Sequence, residues 1–533
     1  MNQMTPPPKI EIIPSSAPFS EAQRSWLNGF FAGLLTTDAP APLSAGEGLG
    51  LPPTAVGEGD DGGAPWHDQT MPIAARMKLA EGRPLRRRMM AAMAQQDCGQ
   101  CGYNCNDYSD AIASKAEGRL NLCVPGGKET ARILKALHEE LEKAPAAAAS
   151  APPASAPAAP VTEPGRSRDN PVAATFLSRR LLNKSGSEKE TWHIDFDLSG
   201  CGLDYVVGDS FGIFARNDLG HVDQIIALLG AAHTTKVRGK TLREVMQDEV
   251  SLSPAPDSLF ELLSFITGGK QREKARALAQ GEDPDGDAAT LDVMAALQKF
   301  SGARPHPEAF VEALEPLQPR LYSISSSHNA TPGKLSLTVD CVRYMVGKRK
   351  RLGLASTFLA ERIHPGDQVK VYIQRAHGFA LPEDPNTPII MIGPGTGIAP
   401  FRAFLHDRRA TGATGKNWLF FGHQRSDCDF FYGDELNAMK TAGVLTRLSL
   451  AWSRDGEKKF YVQDRMREVG REVWTWLAEG ANVYICGDAK RMAKDVERAL
   501  VDIVAQFGAR SIDEAVLFVA ELKKKGRFQQ DVY

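Results

Sequence analysis

Four cysteines, Cys98, Cys101, Cys105 and Cys123, follow one another with two, three and seventeen residues between them. Thiolates close in sequence can cover one side of a metal centre, and a more distant fourth closes it. Two chemistries are open. Structural zinc takes four thiolates, whereas iron–sulfur clusters more often use three clustered cysteines and one remote. A second set of residues suits a nucleotide. Residues 388–392 (PIIMI) read as a short buried strand, followed by Gly393-Pro394-Gly395-Thr396-Gly397 and a helix starting near Pro400. The glycines let the backbone turn tightly and approach a ligand, and the helix start offers free N–H groups to a phosphate. Alone, such a loop reads equally well as an ordinary strand–helix turn. Here a second strand, 482–486, ends in Gly487-Asp488 before another helix. Between the two lie Ser453-Arg454, then Lys459, Tyr461 and Gln463. These types suit the 2′-phosphate of NADP, which arginine grips with two parallel hydrogen bonds. An NAD-specific site would instead present an acidic ribose partner. Taken by itself, Ser453-Arg454 reads as a solvated charged loop.

The elements that must position these residues divide the chain into blocks. Its 533 residues leave room for two to four domains, and 42% hydrophobic content suffices for real cores. Basic and acidic residues nearly cancel, 63 against 65, which gives no basic stripe of the kind nucleic acid requires. No apolar run reaches membrane-span length, and the N-terminus has no secretion signal, so a cytoplasmic location without membrane contact is expected. The other four cysteines, Cys201, Cys341, Cys428 and Cys486, are scattered, and a disulfide framework would be unusual in a cytosolic chain of this size. Residues 18–36 read as a helix, capped by Ser20 and Gln23 and carrying Trp26, Leu27, Phe30, Phe31, Leu34 and Leu35 at helical spacing. It serves either as a helix packed on its own protein or as an assembly or docking helix. A Gly/Pro-rich linker covers 37–65. The cysteine block, 66–144, closes with a helix after Gly126-Gly127 that carries Ile133, Leu134, Leu137 and Leu141 on one face. An Ala/Pro linker, 145–165, would reach about 60 Å if fully extended, leaving the cysteine block free to move. Residues 166–385 show segments (193–198, 209–214, 320–325, 334–343, 368–373) that read as strands of an antiparallel barrel, with a helical insertion at about 218–312. From 386 to 533 strands alternate with helices, the pattern of a doubly wound parallel sheet.

With these motifs in order, the chain from Asn170 to Tyr533 resembles the FAD/NADPH half of the diflavin reductases, and among them the flavoprotein subunits of NADPH-dependent assimilatory sulfite reductase. Arg320-Leu321-Tyr322-Ser323-Ile324-Ser325-Ser326 is similar to the family's flavin-binding motif. The resemblance implies that Arg320 contacts the FAD pyrophosphate, that Tyr322 lies against the isoalloxazine, and that Ser323 bonds near its N5, with Ser325 in the same motif. Gly353-Leu354-Ala355-Ser356-Thr357 resembles the loop holding the FAD phosphates, through Gly353, Ala355, Ser356 and Thr357. Gly395, Thr396 and Gly397 match the nicotinamide loop. Ser453, Arg454, Lys459, Tyr461 and Gln463 match the 2′-phosphate site, with Arg425 counted among the nucleotide-binding residues. Cys486 and Asp531 resemble the residues that join the serine, Ser323, in positioning nicotinamide for hydride transfer, and Tyr533 resembles the aromatic residue stacked on the flavin. The implied fold is multidomain: a small α-rich iron–sulfur domain, an antiparallel β-barrel FAD domain with a helical insertion, and an α/β doubly wound NADP domain.

One block departs from the family. Diflavin reductases carry an FMN-binding flavodoxin domain where this chain has its cysteine block. The segment from Cys98 to Cys105, with Cys123-Val124-Pro125-Gly126-Gly127, resembles the small 4Fe–4S domain of bacterial electron-transport and corrinoid proteins, which usually has four residues, not three, before its third cysteine. The resemblances imply FAD, NADPH and a 4Fe–4S cluster held by Cys98, Cys101, Cys105 and Cys123. The implied partner is a separate sulfite reductase haemoprotein. Residues 26–35 resemble the family's assembly segment, which implies a homo-oligomer formed through that helix. Two other readings stay open: reduction of another carrier (ferredoxin, flavodoxin or cytochrome), and a zinc-organised interaction module on an FAD reductase.

Overall fold

The computed structural model describes residues 65–67, 71–96, 101, 103–143, 163–376, 378–489 and 491–533. The expected helix over 18–36, nearly all of both linkers, and Cys98 lie outside the described residues. No helix among the described residues is long and apolar enough to cross a membrane.

The cysteine block is helical: α1 (Ile73–Leu79), α2 (Leu85–Ala92), α3 (Cys105–Ala113) and α4 (Gly127–Lys143). Met89, Met90, Tyr108, Ile112, Leu122 and Leu134 form its core, and Cys101 and Cys105 are buried among them. α3 starts at Cys105 because the Asn104 side chain accepts the N–H of Asp107 at 2.7 Å, satisfying a first-turn donor. α4 buries Leu134 and Leu137 and packs Ile133 and Leu141 against the same core, the face expected from its spacing.

The next block is a six-stranded antiparallel sheet built from β1 (Val172–Leu181), β2 (Thr191–Asp197), β3 (Ser210–Ile213), β4 (Arg320–Ser323), β5 (Lys334–Asp340) and β6 (Gln368–Gln374). Their order is β4-β3-β6-β1-β2-β5. The edge strands approach at a bridge between Ile324 and Leu337, so the sheet curls around a core of Phe176, Phe196, Phe211 and Ile324. Between β3 and β4 comes a helical insertion running from Leu219 to Glu312, with its own apolar core. One of its helices, α5 (Asp257–Ile266), meets the cysteine block.

The last block is a five-stranded parallel sheet with order β9-β8-β7-β10-β11, from β7 (Ile389–Ile392), β8 (Asn417–His423), β9 (Arg447–Trp452), β10 (Asn482–Gly487) and β11 (Phe528–Val532). β7 is central and all four of its residues are buried. Ile390 and Ile392 pack into one core while Ile389 and Met391 pack into another. That alternation is what a strand covered by helices on both faces requires.

The cysteine block rests on the insertion rather than standing apart from it. Arg132 donates to both carboxylate oxygens of Asp257, at the start of α5, at 2.7 and 2.9 Å, and Lys128 Nζ lies 3.6 Å from the same carboxylate. Arg119 pairs with Asp169 at 3.2 Å. Linker composition alone led to the expectation of a freely moving block; the structure gives that block a defined seat.

Candidate functional site

Three of the expected chemical residues come from three different strands. Cys486 and Asp531 are paired neighbours in the parallel ladder of β10 and β11, and Ser323 ends β4 of the antiparallel sheet. The Ser323 hydroxyl donates to Asp531 Oδ2 at 2.6 Å, and the Cys486 thiol donates to the same oxygen at 3.7 Å. Burial raises the Asp531 pKa against the lowering effect of both hydrogen bonds. Burial and the adjacent carboxylate hold the Cys486 thiol well above its ordinary range. The cluster is therefore a protonated thiol and a shared carboxylate, suited to orienting a ligand rather than to nucleophilic attack.

The nicotinamide-type loop packs against this cluster. Gly395 has φ +58, the left-handed region glycine adopts without a Cβ clash, and an added Cβ on Gly397 would lie 2.1 Å from the Cys486 carbonyl oxygen. Thr396 and Tyr533 hydroxyls are 2.8 Å apart. Tyr533 is pinned by its N–H to the Gly487 carbonyl, and its own carbonyl accepts from Ala489, while its side keeps 57% exposure.

Two cavities meet at Tyr533, Thr396 and Asp340. One, of about 770 Å³, is lined by Gly395, Thr396, Ser453, Tyr461, Gln463 and Gly487. Arg425, Arg454 and Lys459 are exposed and are not part of this lining. The other, of about 500 Å³, is lined by Arg320, Tyr322, Ser323, Gly353, Ala355 and Ser356. Arg320 makes no ion pair among the described residues, donates to the carbonyls of Gln318 and Pro319, and has its pKa lowered by burial. A desolvated cation without a counter-ion fits an absent anion. The turn Leu354–Thr357 begins beside it, with first-turn N–H groups that have no helical acceptor.

Gly397, Cys486, Arg425, Arg454 and Lys459 line neither cavity, and two expected flavin-site residues also stand outside the second lining. Ser325 is fully buried and its carbonyl accepts from Arg402 at 2.7 Å. Thr357 is fully buried and donates to the Gly353 carbonyl at 2.8 Å, bracing the turn. Both act on the site through backbone. Residues not foreseen include Thr338 and Asp340 of β5 in the second cavity, and Arg491 and Asp495 in the first. Gln96 and Pro125 of the cysteine block also line the second cavity. Only the strand holding Thr338 and Asp340 was legible. The others arrive by tertiary packing.

Three of the four clustered cysteines, Cys101, Cys105 and Cys123, occupy one place. Cys101 and Cys105 are buried in the core against which Cys123 packs, and the backbone N–H groups of Ala94 and Gly126 hydrogen-bond to Cys123. A Cβ on Gly126 would lie 3.0 Å from the Cys123 sulfur, so glycine is what permits this approach. Among the described residues, no three His, Cys, Asp or Glu side chains gather as a metal ion requires.

Residues 164–358 match the FAD binding domain family, and 391–498 match the oxidoreductase NAD-binding domain family. The chain is 41% identical over 413 residues to the sulfite reductase [NADPH] flavoprotein alpha-component of Escherichia coli O1:K1 / APEC, covering 76% of this chain and 67% of that protein. The same-named protein of Shigella boydii serotype 4 gives 41% over the same length. That of Photorhabdus laumondii gives 41% over 371 residues, 69% of this chain and 61% of its relative. An antiparallel sheet beside one cavity, a parallel sheet beside the other and a Ser–Asp–Cys cluster where the two sheets meet thus accompany sequence identity along both blocks, and the chain belongs to the family of sulfite reductase [NADPH] flavoprotein alpha-components.

Proposed function

We propose that the chain is an NADPH-dependent flavoprotein reductase that delivers electrons to a sulfite reductase haemoprotein. The observation that carries the reading is the junction of the two cavities, where Ser323, Asp531 and Cys486 share one carboxylate beneath Tyr533 and Thr396. When bound, FAD supplies hydride acceptance from NADPH and electron release in single steps. Arg320 and the free amides of the Leu354 turn would hold its pyrophosphate, and Tyr322, in the same cavity, would contact its ring. Ser453, Arg454, Lys459, Tyr461 and Gln463 hold the 2′-phosphate end of NADPH, with Arg425 nearby. The Gly395–Gly397 loop, packed on the Cys486 backbone, would hold the nicotinamide near the Cys486 thiol and the Asp531 carboxylate. Tyr533, exposed where the two cavities meet, would cover the flavin and would have to give way to nicotinamide. Holding two reactants in register in this way accounts for much of such a rate enhancement.

The cysteine block is the second part of the proposal. Cys98, Cys101, Cys105 and Cys123 would hold a 4Fe–4S cluster, which supplies one-electron storage. Cys101, Cys105 and Cys123 border one core without gathering into a ligand set, the amides of Ala94 and Gly126 reach the Cys123 sulfur, and soft thiolates are the donor type such a cluster takes. Gln96 and Pro125, which flank the cysteines, line the cavity assigned to FAD, so the block sits where a flavin's electrons leave. Residues 18–36 would serve oligomer assembly.

Anaerobic purification followed by flavin, iron, zinc and sulfide analysis tests both parts. Bound FAD bleached by NADPH, near four iron and four sulfide per flavin, and sulfide formation with added sulfite reductase haemoprotein are expected. A chain that binds FAD and oxidises NADPH yet holds zinc without sulfide would overturn the cluster. Failure to oxidise NADPH would overturn the reductase.

A further inference from the structure

Arg454, proposed above to grip the 2′-phosphate, already has an anion. Its Nη1 pairs with the Glu188 carboxylate. Glu188 belongs to the turn between β1 and β2 of the antiparallel sheet, not to the nucleotide sheet. That turn is fastened across the domain boundary. Lys184 N–H donates to the Cys428 carbonyl at 2.8 Å, and Asn183 Nδ2 donates to Asp429 Oδ1 at 2.8 Å. Ser187 donates to the same oxygen, and Asp429 is completely buried. These anchors leave Glu188 little choice of position. The next residue, Lys189, lines the same cavity as Ser453. Arg454, with a lesser contribution from Arg425, holds the Glu188 carboxyl below its ordinary pKa.

A guanidinium offers the same N–H fork to carboxylate and to phosphate. One Nη cannot serve both at full strength, and a carboxylate left beside an arriving phosphate repels it. We infer that Glu188 is a built-in competitor for the 2′-phosphate: it occupies Arg454 in the free protein and sets how much the phosphate contributes to dinucleotide affinity. The inference rests on the assignment of Ser453 and Arg454 to the 2′-phosphate. It makes Glu188 a specificity-positioning residue, acting through Arg454 and touching no reacting atom.

The test uses the full FAD-loaded chain and two probes, 2′,5′-ADP and 5′-AMP, titrated by calorimetry at low and high salt. Glu188→Gln keeps shape and removes charge. The variant should bind 2′,5′-ADP about fivefold more tightly, the upper end for an exposed ion pair, with 5′-AMP unchanged. The gain should shrink at high salt and vanish in an Arg454→Ala background. An unchanged or weaker 2′,5′-ADP affinity overturns the inference. So does an equal gain for both probes, which would make the pair a general brace of the domain boundary. Equal binding of the two probes by the wild-type chain would instead overturn the 2′-phosphate assignment, and the inference with it.

Discussion

Gly397 is the position where one methyl group should separate folding from chemistry. Its φ of −61 and ψ of −10 suit alanine, so backbone strain is not at issue. The cost is contact. A Cβ there would meet the Cys486 carbonyl oxygen at 2.1 Å and its carbon at 2.8 Å, where ordinary heavy-atom contacts are roughly 3.5 Å. The loop and the end of β10 must separate by more than about 1 Å. The loop cannot simply retreat, because the Gly397 carbonyl is packed on Gly393, where an added Cβ would come within 2.4 Å of it. Cys486 must yield, and its 3.7 Å contact with Asp531 goes with it. Overpacking of this kind costs about 1–3 kcal/mol of stability. Misplacing a reacting group by about 1 Å costs on the order of 100-fold in rate. In Gly397→Ala, anaerobic stopped-flow mixing with NADPH should show flavin bleaching slowed about 100-fold with FAD content intact. Gly302→Ala, where nothing lies within 4 Å of the added carbon, should behave as wild type. Bleaching at the wild-type rate in Gly397→Ala would refute the argument.

Tyr533→Phe loses only the 2.8 Å contact with Thr396 and should change NADP⁺ affinity little. Tyr533→Ser removes a ring whose stacking is worth about 0.5–1.5 kcal/mol, so NADP⁺ should bind up to about tenfold tighter, read by difference absorbance; unchanged affinity would count against the ring's covering role. Asp257→Lys confronts Lys128 and Arg132 with a third cation, and hydrogen exchange should rise in 128–135 and 255–260 but not in the nucleotide sheet. Uniform protection would show that the seat does not depend on these pairs. Burial alone would raise the Glu435 pKa, but the His406 and Arg402 contacts hold it at about 2, below the unfolded value of about 4.3. Its stabilisation is therefore complete above the unfolded pKa and is lost as pH falls through the folded one, by at most about 3 kcal/mol. Melting temperatures of wild type and Glu435→Gln should converge between pH 4.5 and about 2, and parallel curves would disprove the assignment.

What the sequence disclosed was contiguous. The glycine loop after β7, the Ser453-Arg454 pair and the α4 stripe are each a run of neighbours, so a local pattern carries them. The insertion was visible because its helices repeat apolar residues at one period over 90 positions or so. β1 was not singled out, since its exposure pattern alternates poorly and three of its last four residues are exposed. The Ser323–Asp531–Cys486 cluster was reached through family resemblance. No spacing predicts it, because the ladder register of β10 and β11 and the approach of two sheets create it. The seat of the cysteine block was hidden for the same reason. Arg132 and Asp257 lie on separate blocks, and an Ala/Pro linker speaks of reach, not of where the reach ends. Glu188 gave no signal at all, being one charge in a polar turn.

The two cavities also impose a direction. The nucleotide cavity and the flavin-type cavity share Tyr533, Thr396 and Asp340, while Gln96 and Pro125 border only the second of these two. On the proposed assignment a dinucleotide would enter the first cavity, while the cysteine block borders the second. A relay must not compete with the dinucleotide for the same face, and this arrangement removes the competition by topology. In a reductase with a free-swinging relay, each electron waits for a domain to return. Here the cysteine block is seated by Asp257 and Asp169, through partly exposed ion pairs that are individually weak and screened by salt. Such a seat is strong enough to favour one arrangement and weak enough to be left. In the relay role proposed for it, the block would face the flavin to be charged and an external haemoprotein to be discharged; that role needs both properties, and a buried apolar interface would supply only the first.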